Sequence, residues 1–231
     1  MNELDCSVCG NKEFHAGPVL WPALIHEWQL SADEVRYIDR QQGCSCGSCG
    51  ANLRFVALGH AILALVATKL PLRHAITAGI FDKWRVLDCN GAGPVSDALA
   101  VLPHYFRADF PEYDMRRMPF PNGSFDLIIH SDTLEHIEHP VVALEECCRL
   151  LNPAGHLCFT VPIILGRLSR SREGLPASYH GDPATERTDF VVHTEFGADA
   201  WVMVLQAGFT DVTLTQVDFP SAIAITASKN A

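Results

Sequence analysis

One continuous stretch, Met118 to Pro162, constrains the fold of this chain more than any other: MPFPNGSFDLIIHSDTLEHIEHPVVALEECCRLLNPAGHLCFTVP. Pro121-Asn122-Gly123 is a turn signal, and the apolar run Phe125–Ile129 behind it predicts a strand. An acidic, histidine-bearing loop runs from His130 to His139. Val142, Leu144 and Leu150 then recur at helical spacing, Pro153 and Gly155 mark a second turn, and His156–Val161 predicts another strand. Strand, helix, turn and strand make a βαβ unit of a parallel sheet. Ligands of such sheets sit at the carboxyl ends of the strands. Ser131, Asp132, Glu135 and His136 fall at that end.

The rest of the chain extends this unit. Residues 51–80 read as helical, in two pieces divided at Pro71. Arg85–Asp88 predicts a short strand, Pro94–Leu102 a helix, Tyr105–Asp109 a second strand and Glu112–Met115 a third, very short one. Gly197–Gly208 reads as a helix ending on a glycine, and Val212–Val217 with Ala222–Ala227 as a closing antiparallel pair. The expected fold is α/β: a Rossmann-like, mostly parallel sheet closed by an antiparallel strand pair and preceded by a small zinc-ribbon-like module. Residues 1–50 are expected to form that module, 51–80 a helical connector and 81–231 the main domain.

The module is inferred from cysteine spacing. Five of nine cysteines lie in the first fifty residues, and Cys6-Ser-Val-Cys9-Gly10 and Cys46-Gly-Ser-Cys49-Gly50 are both Cys-x-x-Cys-Gly knuckles. Two intervening residues let both thiolates reach one tetrahedral ion, and the glycine lets the chain turn back beneath it. Cys6, Cys9, Cys46 and Cys49 are therefore the expected ligands of a closed, structural Zn2+ site, with Cys44 an alternative to Cys46. The 36 residues between the knuckles make a long insert, which leaves ligand geometry unaffected. Cys89, Cys147, Cys148 and Cys158 read as buried inert thiols.

Charge narrows the partners. Of the formal net charge of −10, residues 81–231 carry −9, with 11 Lys/Arg against 20 Asp/Glu. No basic stripe marks a nucleic-acid face, so none is expected as partner. The cluster Arg167, Arg170, Arg172 reads as a solvated loop. The acidic surface favours a small molecule or basic protein as substrate. Phe55–Thr68 is apolar but shorter than the ~20 residues that span a bilayer, and it reads as a buried helix. MNELDCSVCG has no apolar signal region, and a cytoplasmic location is expected.

The pattern PFPxxSFDLI, SDxLEH, a helix ending RLLxPxG and a strand ending TVP resembles the class I S-adenosylmethionine-dependent methyltransferases, closest to their type 11 group. A weaker resemblance runs from about Trp84 to the C-terminus. It implies S-adenosylmethionine as cofactor and a site built residue by residue. Asp88, Asn90, Gly91 and Gly93 match the loop that wraps the cofactor's amino-acid end. The family's Asp-x-Gly-x-Gly-x-Gly is altered here: Asn90 replaces the first glycine, and the remainder fits only with a one-residue deletion. Asp109, 21 residues after Asp88, matches the acid that accepts the ribose hydroxyls. Asp114 and Met115, before Arg116-Arg117-Met118-Pro119-Phe120, match the pair flanking adenine, and Ser131 and Asp132 complete the cofactor set. His136 and Glu135 are the candidate catalytic pair.

The segment Pro162–Phe196, with Tyr179-His180-Gly181-Asp182-Pro183 and His193-Thr194-Glu195-Phe196-Gly197, is expected to be a long irregular substrate lid. The function expected is methyl transfer to a small molecule. A non-catalytic methyltransferase-like protein whose zinc module docks a partner is the alternative, prompted by Asn90. A nucleotide-dependent oxidoreductase is disfavoured by the lack of Gly-x-Gly-x-x-Gly. Acceptor atom and oligomeric state stay open.

Overall fold

A computed structural model describes residues 4–179 and 190–229. A six-stranded sheet forms the centre, built from β3 (Val86–Cys89), β4 (Tyr105–Ala108), β5 (Phe125–Ser131), β6 (Leu151–Thr160), β10 (Asp211–Val217) and β11 (Ala222–Ser228). Its order is β10-β11-β6-β5-β3-β4, with β4, β3, β5 and β6 parallel and the β11–β10 hairpin antiparallel at one edge. The chain leaves β3 for β4 on one side and returns to β5 on the other. The strand order therefore reverses beside β3, and the crevice opened there at the carboxyl ends is where ligands bind in such sheets.

Period-two alternation sends the strand residues to two cores. Leu127 and Ile129 join the face covered by α3 (Leu53–Ala64), α4 (Leu72–Thr77) and α5 (Pro94–Leu99), whereas Leu87 and Ile128 join the face covered by α6 (Pro140–Leu150) and α7 (Ala200–Gln206). Helix α3 starts on Asn52, whose side chain accepts from the Phe55 amide, and buries Leu53, Val56, Leu58 and Ile62. This is the apolar run read as a buried helix; no helix among the described residues is long and apolar enough to cross a membrane.

Four expectations are corrected. Glu112–Met115 forms no strand: the connection after β4 is turns and a single bridge between Asp114 and Arg117, too short to span another strand position. The Pro153–Gly155 turn is absorbed as a bulge inside β6, where the register against β5 slips between Phe125 and Leu127. The described part of 162–196 is ordered into a small sheet of β7 (Ile163–Ile164), β8 (Arg170–Ser171) and β9 (Thr194–Gly197), with Gly197 in β9 and not in the following helix. His180-Gly181-Asp182-Pro183 lies outside the described residues. The arginines are not a solvated loop. Arg170 and Arg172 both bind Glu195, Arg172 also reaches Glu27, and Arg167 binds Glu34 at 2.7 Å.

The insert between the cysteine knuckles folds as two helices, α1 (Pro22–Glu27) and α2 (Ala32–Gly43). Pro22 opens the first, and a reciprocal Ser31/Glu34 capping box opens the second. Leu24, Trp28 and Ile38 pack with Ile164 and Val192 into a third apolar cluster. The pair is fastened to the sheet: the Tyr37 hydroxyl accepts from Leu165 N (3.0 Å), the Trp28 indole donates to Ser178 (2.9 Å), and Arg40 binds Asp218 (2.6 Å). The Arg167 guanidinium pushes the Glu34 carboxyl down from 4.5 to about 2. A depressed carboxylate stabilises above its unfolded value and loses that contribution as pH falls through the folded one. Allowing for solvent screening, the Glu34–Arg167 pair is expected to contribute on the order of 1 kcal/mol at pH 7, fading between pH 4.5 and about 2. Denaturant melts of Glu34→Gln across this range check it: a variant as stable as the parent at pH 7 would refute the clasp.

Candidate active site and cysteine centre

The reversal beside β3 places a cleft of about 670 Å³ at the carboxyl ends of β3, β4 and β5, within the ~300–1,000 Å³ usual for ligand sites. Asn90, Asp109, Asp114, Met115, Ser131, Asp132 and His136 line it together. Asn90 adopts φ +61°, the left-handed region that asparagine tolerates better than most residues with a Cβ. Its amide donates to Ala108 O (3.0 Å) and its side-chain oxygen accepts from Phe110 N (2.7 Å), tying the ends of β3 and β4 together. The substitution of the family glycine is thus accommodated, with a hydrogen bond that glycine lacks.

Gly91, Gly93 and Asp88 do not line the cleft. A Cβ at Gly91 would overlap the Arg107 guanidinium and one at Gly93 would lie 2.9 Å from the Phe55 ring, so these glycines permit close packing beneath the loop. Asp88 is fully buried below it, accepting from the Tyr105 hydroxyl at 2.6 Å. Burial pushes its carboxyl up, opposed by hydrogen bonds from Ser96 and Tyr105. Asp109, half-exposed at the rim, is paired with Arg107 at 2.6 Å. Asp114 is held by Arg116 at 2.7 Å, which keeps its carboxyl low. Tyr113 and Phe120 stack face to face at 6.0 Å beside the buried Met115.

At the end of β5, Ser131 and Thr160 share a hydrogen bond of 2.7 Å, and Asp132 turns with φ +52° to meet Arg54 of α3 at 2.7 Å. His130 belongs to the strand and not to the loop. It is fully buried against Phe159, and burial pushes its pKa down to about 3. Glu135 and His136 form a short 3-10 turn, Leu134–His136. Burial pushes the Glu135 carboxyl well up, and Asp132 adds to the effect. His136 Nδ1 lies 2.9 Å from the Val191 carbonyl, and Nε2 lies 3.8 Å from Glu135 Oε1. A carbonyl only accepts, so Nδ1 carries the proton of the neutral ring and Nε2 keeps its lone pair.

The sequence reading missed Arg54 and the α1–α2 pair. The pair shapes a second cavity of about 250 Å³ that meets the first at Asp132, His136 and Phe190. Pro22 and the Ser31-x-x-Glu34 box were the local signals for these helices; nothing local marked Arg54.

The four knuckle sulfurs lie within 4.8 Å of one another, with Cys6–Cys49 and Cys9–Cys46 both at 3.6 Å. Tetrahedral Zn–S bonds of ~2.3 Å demand S···S separations near 3.8 Å, so the donor set fits one ion. Gly10 and Gly50, at φ +84° and +74°, close each knuckle by donating to the Cys6 and Cys46 carbonyls. Cys44 stands apart, buried in the core, where burial raises its pKa. Cys89, Cys147 and Cys158 are buried and Cys148 partly so.

Residues 93–159 match a family model described as a methyltransferase domain. No curated protein matches the chain. Among solved structures, 1,6-didemethyltoxoflavin-N1-methyltransferase of Burkholderia thailandensis is 15% identical over 96% of this chain and 97% of its own, at TM-score 0.44. Human N-acetylserotonin methyltransferase is 17% identical over 90% of this chain and 62% of its own, at 0.40. An S-adenosylmethionine-dependent methyltransferase of Methanosarcina mazei is 13% identical over 67% of this chain and 96% of its own, at 0.41. Residues 93–159 thus carry the sequence pattern of a methyltransferase domain, on a mostly parallel sheet with reversed strand order and behind a four-cysteine module.

Proposed function

We propose that the protein transfers a methyl group from S-adenosylmethionine to a small-molecule acceptor, with a structural Zn2+ held by Cys6, Cys9, Cys46 and Cys49. The observation that carries this is the convergence of Asn90, Asp109, Asp114 and Met115 on one cleft that opens at His136 onto a second, smaller cavity. Asp109 would take the ribose hydroxyls, Asp114 and Met115 the adenine, and the Asn90 turn with Ser131 and Asp132 the amino-acid end. Four thiolates leave the metal no open position, so its part is to hold the fold. When bound, the cofactor supplies a methyl carbon already activated by a sulfonium, the electron pair of the broken C–S bond staying on sulfur. The chain's own residues then align acceptor and methyl, and His136 Nε2 takes the proton the acceptor loses. Asn90 is seated in the left-handed region, which removes the sequence ground for a non-catalytic reading.

Calorimetric titration with S-adenosylmethionine and S-adenosylhomocysteine tests the proposal. Binding is expected in roughly the micromolar range. Asp109→Ala should weaken it by on the order of 10²-fold or more, two charge-assisted hydrogen bonds being worth ~1.5–3 kcal/mol each. Metal-replete protein that binds neither compound would overturn the function; undiminished binding by the variant would overturn the site. His136→Gln should retain product binding yet slow turnover by about 10²–10⁴, and unchanged turnover would remove its role as base.

A further inference from the structure

The second cavity has a composition that the methyl-transfer chemistry does not explain. Its walls are apolar and aromatic, from Trp21, Leu24, Trp28 and Ile38 of the insert facing Ile163 and Ile164 of the sheet side. Three polar side chains line the same space with buried atoms that have no hydrogen-bond partner among the described residues: Gln41 Oε1, Arg54 Nε and Nη1, and Asp132 Oδ1. Gln41 is 2% and Arg54 6% exposed. Buried polar atoms without partners are costly, at ~1–3 kcal/mol each, and a pocket that keeps both an acceptor and donors in this condition suits a ligand that supplies the complements.

Size and charge narrow that ligand. The volume of about 250 Å³ is below the ~300–1,000 Å³ of drug-sized sites, leaving room for one ring and its substituents but not for a polymer segment. Arg54 is already neutralised by Asp132 at 2.7 Å, and burial holds Glu135 toward its uncharged form. The charge of Asp132 is already offset by Arg54, so a cationic ligand would have to compete with that guanidinium, and an anionic one would sit beside the carboxylate. His136 lines both cavities where they meet.

We propose that this cavity is the acceptor site and that it selects an uncharged, single-ring aromatic molecule. The acceptor presents an O–H or N–H to His136 and a polar substituent to Gln41 and Arg54. The inference rests on the methyl-transfer reading for the word acceptor, but the binding itself does not. In the reaction the ring's oxygen or nitrogen forms the new bond to the methyl carbon while its proton passes to His136 Nε2. The insert between the knuckles thus determines which acceptor enters.

The test uses full-length, zinc-loaded protein and follows tryptophan fluorescence, since Trp21 and Trp28 line the cavity. It is titrated with p-cresol, p-toluidine, benzoate, benzylamine and 2-naphthol, with and without S-adenosylhomocysteine. p-Cresol or p-toluidine should bind at least about tenfold more tightly than the two ions and the two-ring phenol; whichever of the pair is methylated assigns oxygen or nitrogen. Leu24→Trp and Ile38→Phe, which fill the cavity from two helices, should each lose ring binding while their S-adenosylhomocysteine affinity, the control for folding, stays at the parental value. Preference for an ion or for 2-naphthol, or parental ring binding by both variants, overturns the proposal. Ring binding without S-adenosylhomocysteine binding would instead overturn the methyl-transfer reading and leave the cavity assignment standing.

Discussion

Cys49→Ser is expected to cost several kcal/mol and to disturb far more than the first fifty residues. Structural zinc sites contribute ~10–16 kcal/mol of folding free energy in small peptides, against a total stability of ~5–15 kcal/mol for a domain. Loss of one thiolate therefore removes a large share of what holds the protein together. The damage should spread because Ser7 of the first knuckle donates to Val56 O of α3 (2.6 Å), while the Ser7 and Val8 carbonyls accept from Leu72 N (2.7 Å) and Arg73 N (3.0 Å) at the start of α4. Cys6, Cys44 and Cys46 also share one core with α3 and the sheet. Denaturant melts with and without a chelator measure the effect. Cys44→Ser is the control: buried but outside the four-sulfur cluster, it should keep full metal content and lose only ~1–2 kcal/mol. Equal losses in the two variants, or metal retained by Cys49→Ser, would contradict the ligand assignment.

Arg54→Met should cost about 3 kcal/mol at pH 7, the lower end of the range for breaking a buried ion pair, because the Asp132 side chain keeps 30% of its surface exposed. The penalty comes from the carboxylate left behind. Burial already pushes Asp132 up from 3.8, and the Arg54 charge is the largest influence holding it down. Without the guanidinium the folded value rises further above the unfolded one. A carboxyl raised in this way destabilises the fold above its unfolded pKa, and the penalty fades as pH falls through the folded value. The gap between variant and parent should therefore narrow from pH 7 to pH 5 in urea melts. The double variant Arg54→Met/Asp132→Asn should recover most of the loss. A gap independent of pH, or no recovery, would show that Arg54 acts through packing alone.

Local signals explain what could be read in advance. The βαβ unit from Phe125, the closing hairpin and the two knuckles depend on periodicity, turn residues and fixed spacing within a few residues, and these have their expected partners in the structure. Asn90, Asp109, Asp114, Met115, Ser131 and Asp132 were legible as motif positions, and they line one cleft. Asp88 was legible as a motif position, but not its burial beneath Tyr105, which depends on a neighbouring strand. Arg54 sits in an apolar run, and its role appears only through Asp132, 78 residues away. The insert was hardest to read. Its contacts, Trp28 with Ser178, Tyr37 with Leu165 and Glu34 with Arg167, all span more than 120 residues. No period within 17–43 encodes them.

The ends of that insert nearly touch. Gly17 N donates to Gly43 O at 3.2 Å, and β1 (Phe14–Ala16) pairs with β2 (Cys44–Cys46), whose last residue belongs to the four-cysteine cluster. The segment is thus a cartridge clipped into a fixed frame, and closing a replacement of different length there would add little entropy cost. Under the proposed acceptor site, exchanging residues 17–43 between relatives of this architecture would transplant the wall of the second cavity while leaving the first cleft intact. The same arrangement would let that wall diversify in one short exchange of sequence, with the four-cysteine frame and the central sheet unchanged.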